Sequence, residues 1–413
     1  MTFPPLFRIR QRFSDATIED VADALRTELD HSGVRLKPGQ RIAIAVGSRG
    51  IAELVTIVGE LVTWVRSQGA EAFIVPAMGS HGGATAAGQQ QVLASLGITA
   101  DHVGAEIRSS MEVAELDRGI LEVPVYIDRL AHEADGILLV NRVKPHTSFH
   151  GTYESGLMKM IAVGLGKHAQ ALTIHRFGVE GLQDLMPRVA RQVIAQSKIL
   201  LGIGVVENVF DKILHLRALR PNEIPKAEPL LLELAREHLP QLPVDDLDIL
   251  IIDEIGKDIS GLGADPNVIG RLRIRGQSEP DKPRIKLIVV RDLTDASHGN
   301  AAGVGLADFI TRALFEKIDF KATYENVLTS TFTERGKIPI VAETDREALH
   351  HAVRALGVIG PEGLLIARIR NTLRLDELQV SQPVLDELAG EPAIEVDGPV
   401  GTLFDETGEM LDW

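Results

Sequence analysis

The chain has 413 residues, 45% hydrophobic and 24% charged, the balance of a globular protein large enough for two domains. Its net charge of -15 argues against nucleic acid or an anionic membrane surface as a partner, since neutralising phosphate needs clustered Lys and Arg. It contains no cysteine, which excludes disulfides, thiolate nucleophiles, protein-ligated iron–sulfur clusters and cysteine zinc sites.

In chain order, "RIAIAVGSRG" (41–50) reads as a buried strand running into a loop, followed by "IAELVTIVGELVTWVRSQG" with helical periodicity. "EAFIVPAMGSHGGAT" repeats the unit, with a strand, a glycine-rich loop and a helix from about Ala87. "ADGILLVNRVKPHTSF" and "KILLGIGVVEN" give a third and a fourth strand, and "PKAEPLLLELAREHL" a helix ending in the proline-rich "PQLPVDD". Beyond that boundary "LDILIIDEIGKDISG" and "PRIKLIVVRDLT" are strands, while "LADFITRALFEK" and "DREALHHAVRALG" are expected helices. Short buried strands alternating with helices predict α/β architecture with largely parallel sheets. The expected domains are 1–243 and 244–413, with an active-site cleft between them. In such sheets ligands sit at the carboxyl ends of strands, which is where Arg49, His81 and His146 fall. There is no apolar run of about 18–20 residues and no signal-peptide pattern, so the expected location is the cytoplasm.

Two phosphate-loop look-alikes fail. "AVGLGKHA" lacks the spacing and the Ser or Thr of a P-loop, and "LLGIGVVEN" has Glu207 where a dinucleotide fingerprint needs its third glycine. "GSHGGAT" leaves His81 on a backbone free to bend around a ligand, whereas an idle turn histidine is the plain alternative. "NRVKPHTSFHG" places Arg142, Lys144, His146 and His150 after a strand, against the alternative of a solvated basic loop. Arg49 offers a fork suited to a carboxylate. "DEIGKDISGLGADPN", with Lys257, has the composition of a tight turn, His298 follows in a second glycine-rich loop, and His350 and His351 are expected on a solvated helix face. "GLMKMIAVGLGKHAQALTIH" sets Lys159 in an apolar run that also holds Gly164 and Gly166. A charge there needs something to compensate it, since charged side chains are rarely fully buried without a partner.

In sequence order, "SRG", "GSHG", "KPH", "KMIAVG" and "TIH" form a set that resembles the nickel-dependent lactate racemase family over much of residues 40–180. The resemblance implies that Lys159 forms an amide with a nickel pincer nucleotide, whose two sulfurs and one carbon bind the metal, and that His175 completes the nickel coordination. It implies that acylation removes the charge of Lys159 and that the nearby glycines leave room for the cofactor. His81 and His146 would be the two catalytic bases, with His150 a competitor for the second, Arg49 would bind substrate carboxylate, and Lys257 would assist. The implied activity is that of an isomerase: racemisation or epimerisation at C2 of a small anionic 2-hydroxy acid by hydride transfer, in a protein loaded by cofactor-biosynthesis enzymes. A nickel-free enzyme using Lys159 as nucleophile or Schiff base, and a non-catalytic protein binding small anions, are the alternatives.

Overall fold

The computed structural model describes residues 3–48, 50–357 and 361–413. The chain forms two compact units, Ser14–Leu239 and a second made of Met1–Phe13 with Pro240–Trp413. The division therefore differs from a cut at 243 by one element. Strand β1 (Leu6–Gln11) leaves the N-terminal unit, burying Leu6 and Ile9 among the apolar residues of the second.

The Ser14–Leu239 unit carries β2 (Arg41–Val46), β3 (Glu71–Pro76), β4 (Glu106–Ile107), β5 (Val113–Leu116), β6 (Val125–Asp128), β7 (Gly136–Arg142), β8 (Ile199–Glu207) and β9 (Ile213–Leu219). Its sheet has the order β4-β3-β2-β7-β8-β9, parallel except for β8 against β9, and β5 pairs with β6 in a separate ribbon. Residues 42–46 of β2 are all buried, so the strand is a continuous apolar run and not an alternating one, as expected with both faces covered. The helix Leu54–Ser67 buries Leu54, Ile57, Val58, Leu61, Val62 and Val65, a single stripe at helical spacing. The chain builds outward from β2 through β3 to β4, then returns to lay β7 on the other side of β2. That reversal is the topological switch point where open α/β sheets bind ligands.

The second unit adds β10 (Asp246–Ile255), β11 (Arg284–Leu293), β12 (Phe309–Thr311), β13 (Ile340–Ala342), β14 (Ile366–Ile369), β15 (Glu377–Ser381) and β16 (Ile394–Pro399). Its sheet runs β13-β12-β11-β10-β14-β15-β1-β16, parallel from β13 to β14 and antiparallel from there. Two expectations need correction. Within "LADFITRALFEK" only Arg312–Glu316 is helical, because Phe309 and Ile310 are buried and pair with strands on both sides, and Thr311 caps the short helix by accepting from the amide of Leu314. His350 and His351 are half-buried: His350 stacks on Phe3 at 5.7 Å and His351 lies 6.4 Å from Phe309. No helix among the described residues is long and apolar enough to cross a membrane.

Candidate active site

Three loops leave the carboxyl ends of β2, β3 and β7, beside the switch point. The loop after β2 begins at Gly47, next to Asn141 and Met160, whereas Arg49 lies outside the described residues. The loop after β3 turns on Gly79, Gly82 and Gly83, all with positive φ, and brings His81 to the surface. Its underside is fixed by buried polar groups. The amide of Gln89, wholly buried, donates to the carbonyls of Gly79 (2.9 Å) and His81 (3.3 Å). The ammonium of Lys167, also wholly buried, donates to Pro76 O (2.5 Å) and Gln89 Oε1 (3.2 Å) and pairs with Asp128 at 2.8 Å. Burial pushes the Lys167 pKa down, and the Asp128 charge opposes that shift.

The loop after β7 is closed at its base by Lys144 and Ser155, whose backbones exchange hydrogen bonds of 2.9 and 3.2 Å. Inside it Glu154, fully buried, accepts from the backbone amides of His146 (2.6 Å) and Gly151 (3.1 Å), from Arg236 (2.6 Å) and from Nδ1 of His150 (3.3 Å). His150 is thereby tied to the carboxylate that organises the loop. Nδ1 of His146 accepts from the amide of Ser148 (3.0 Å), and its ring lies 4.6 Å from that of buried Phe149. Nζ of Lys159 sits 5.8 Å over the same Phe149 ring. Arg142, at the start of the loop, pairs with Glu207 instead of facing solvent alone.

Lys159 ends a helical turn, Leu157–Lys159, whose amino end is capped by a carboxylate from another helix: the amide of Met158 donates to Glu228 at 2.8 Å. Glu228 lies in Ile224–Glu237 and is buried; burial raises its pKa to about 7 against the pull of the Met158 and Leu157 amides. Met160–Gly164 then winds as a π-helix, a geometry concentrated at functional sites. Gly164 permits a close approach to the His81 loop, since a Cβ there would stand 2.6 Å from Ala77 O, and its carbonyl accepts from the Gly79 amide (3.2 Å). A Cβ on Gly166 would stand 2.4 Å from Ala162 O. Both glycines are thus occupied by backbone packing and do not leave space for a ligand, which corrects the role expected of them.

The helix Lys167–His175 ends the segment. His175 is accessible to solvent yet crowded by the surrounding wall, and its pKa is lowered first by that desolvation and second by the charge of Lys159. The Phe149 ring meets both Lys159 and His146, and the His81 loop packs onto the π-helix that follows Lys159, where a Cβ on Gly79 would meet Val163 at 3.2 Å. Lys257 belongs to the other unit, where its ammonium donates to Gly261 O (2.6 Å) and Asn326 Oδ1 (3.4 Å) within a tight turn. Among the described residues no group of three or more His, Cys, Asp or Glu could hold a metal ion.

No family model and no curated protein sequence matches this chain. Among solved structures it is similar to the lactate racemase apoprotein from Thermoanaerobacterium thermosaccharolyticum, with a TM-score of 0.54 and 14% sequence identity over 90% of this chain and 99% of that one. The fold is lactate racemase-like. The groups that sequence reading missed are Glu154, Glu228, Gln89 and the buried state of Lys167. Each has a partner remote in sequence: Arg236 for Glu154, the Met158 amide for Glu228, Lys167 for Gln89 and Asp128 for Lys167.

Proposed function

We propose that the protein is a racemase or epimerase that inverts the C2 centre of a 2-hydroxy acid with a nickel pincer nucleotide bound covalently to Lys159. The observation that carries this reading is geometric: Lys159 lies over the Phe149 ring that also packs on His146, and the π-helix Met160–Gly164 that follows it leads into the helix ending at His175. The residues fit such a group. A histidine with a lowered pKa is neutral near pH 7 and offers a ring nitrogen to a metal. A single protein ligand leaves the remaining donors to be supplied by the cofactor, and the chain has no cysteine to offer a thiolate.

When bound, the group supplies a hydride acceptor. The chain's own work is then acid–base and positional. His81 and His146 serve the substrate hydroxyl, whose proton must leave as the carbinol hydrogen departs, a task suited to imidazole near neutral pH. Arg49 holds the carboxylate as a bidentate pair. The similarity in fold to a lactate racemase apoprotein supports the reading.

The test is to produce the protein with the cofactor's biosynthetic enzymes and measure intact mass, nickel content and interconversion of single enantiomers from a panel of 2-hydroxy acids. An adduct on Lys159, stoichiometric nickel and turnover of one panel member are expected. Unmodified Lys159 in active protein overturns the proposal.

A further inference from the structure

The β7 loop fixes more than the position of His146. A histidine's Nδ1 is placed to accept from the amide two positions on, in the manner of an Asx turn. Nδ1 of His146 does so, accepting from Ser148 at 3.0 Å. An imidazole nitrogen that accepts a hydrogen bond carries no proton, so neutral His146 holds its proton on Nε2. The bond is not left to a mobile loop. Glu154, wholly buried, clamps the amide of His146 at 2.6 Å and that of Gly151 at 3.1 Å, on either side of Ser148. Arg236 compensates the buried carboxylate at 2.6 Å, and the buried Phe149 ring supports His146 at 4.6 Å.

Resting on the proposed function above, we infer that Glu154 is a positioning residue and that the loop it clamps delivers neutral His146 as the Nε2–H tautomer, a hydrogen-bond donor to the substrate oxygen in place of the second-base role that the resemblance implies for it. His81 is then the one group that takes the hydroxyl proton. The balance is complete with a single base. The O–H bond breaks and an N–H bond forms at His81, and the bound group would supply the two-electron acceptor that balances oxidation at C2. With the oxygen kept on the Nε2–H of His146, presenting the opposite face requires a half-turn about the C=O axis in which the carboxylate leaves Arg49, after which the proton held by His81 returns to the same oxygen. Asking Nε2 of His146 to accept a proton would require either an imidazolate or loss of the Ser148 bond.

Long-range 1H–15N spectra of the full chain labelled at histidine, assigned with His146→Gln, read the tautomer directly and need no activity. A single Nε2–H state for His146 is expected, and a Nδ1–H state or a mixture overturns the inference. In Glu154→Gln the His146 signal should become a mixture of tautomers; a merely structural Glu154 would alter stability and leave the tautomer as in the wild type, which overturns its positioning role. In loaded enzyme His146→Gln, which keeps an N–H donor, should retain turnover within about tenfold of wild type, while His146→Ala falls by about 10²–10³, the range for losing a preorganised donor. Equal losses in the two variants overturn the donor role. If no hydroxy acid turns over, the functional reading fails while the spectra still decide the tautomer.

Discussion

Two lysines stand on the one helical segment from Leu157 to His175, and their surroundings differ in kind. Lys159 has apolar sequence neighbours yet is only half-buried, over an aromatic ring and within the field of His175. Lys167 follows a glycine in an unremarkable stretch, yet is wholly buried and bonded to Asp128, Pro76 and Gln89. Apolar flanks on a helix report what the neighbouring positions face, not what the lysine itself faces, because side chains one apart point in different directions. The buried charge is a structural pin beneath the His81 loop, and the half-exposed one is the reactive amine of the proposed function.

Replacing each lysine should separate the two roles most widely. Lys159→Ala should abolish both the covalent adduct and stoichiometric nickel, while chemical denaturation of the unloaded protein shows a change within about 0.5 kcal/mol, as for sites outside the core. Lys167→Ala should do the reverse. It strands Asp128, and breaking one side of a buried pair costs about 3–5 kcal/mol. Lys167→Met combined with Asp128→Leu should recover only part of that loss, because it removes the desolvated charges but leaves Pro76 O and Gln89 Oε1 without their donor and the Ala131 amide without its cap. If Lys159→Ala unfolds the protein and Lys167→Ala does not, the comparison is reversed. His175→Ala should keep the adduct on Lys159 in mass spectra and lose the nickel, which would separate attachment from coordination.

The sequence made part of this legible. Strands at 41–46, 71–76, 136–142 and 199–207 stand out as apolar runs because helices cover both faces of their sheet. β1 and β12 do not stand out. β1 pairs with residues 377–381 and 394–399, too far along the chain to leave a local sign, and β12 is three residues running straight into a helix. In the site, His81 and His146 were readable from their place after strands. Glu154 was not, since its meaning lies in the amide of His146 and in Arg236 on a distant helix. Glu228 was hidden for the same reason.

Glu228 gives the comparison a pH dependence. Its unfolded carboxyl ionises near 4.5, whereas in the fold burial holds its pKa at about 7. The folded state thus binds this proton more tightly, and its contribution to stability is fullest below 4.5. That contribution falls as pH rises from 4.5 to 7, by on the order of 3 kcal/mol, and is flat above. Glu228→Gln keeps an oxygen for the Met158 amide and should flatten that part of the denaturation–pH curve. An unchanged slope would mean that the carboxyl beneath the Lys159 turn does not titrate in this range.

The smallest effects test the glycines between the two lysines. Gly164 faces the carbonyl of Ala77, where a Cβ would stand 2.6 Å away, and a backbone oxygen cannot swing aside as a side chain can. Gly164→Ala should therefore cost about 1–3 kcal/mol, the usual range for overpacking a tight contact. It should also weaken the 3.2 Å bond from the Gly79 amide to the Gly164 carbonyl, so amide hydrogen exchange in residues 77–81 should speed up. Gly59 provides the control. It lies within the helix Leu54–Ser67 with no neighbour within 4 Å of its missing Cβ, and Gly59→Ala should stabilise the protein by about 0.5–1 kcal/mol through helix propensity alone. Were Gly164→Ala as benign as Gly59→Ala in the unloaded protein, and harmful only to cofactor attachment, the glycine would be keeping room for the ligand after all, and the packing role assigned to it here would be wrong.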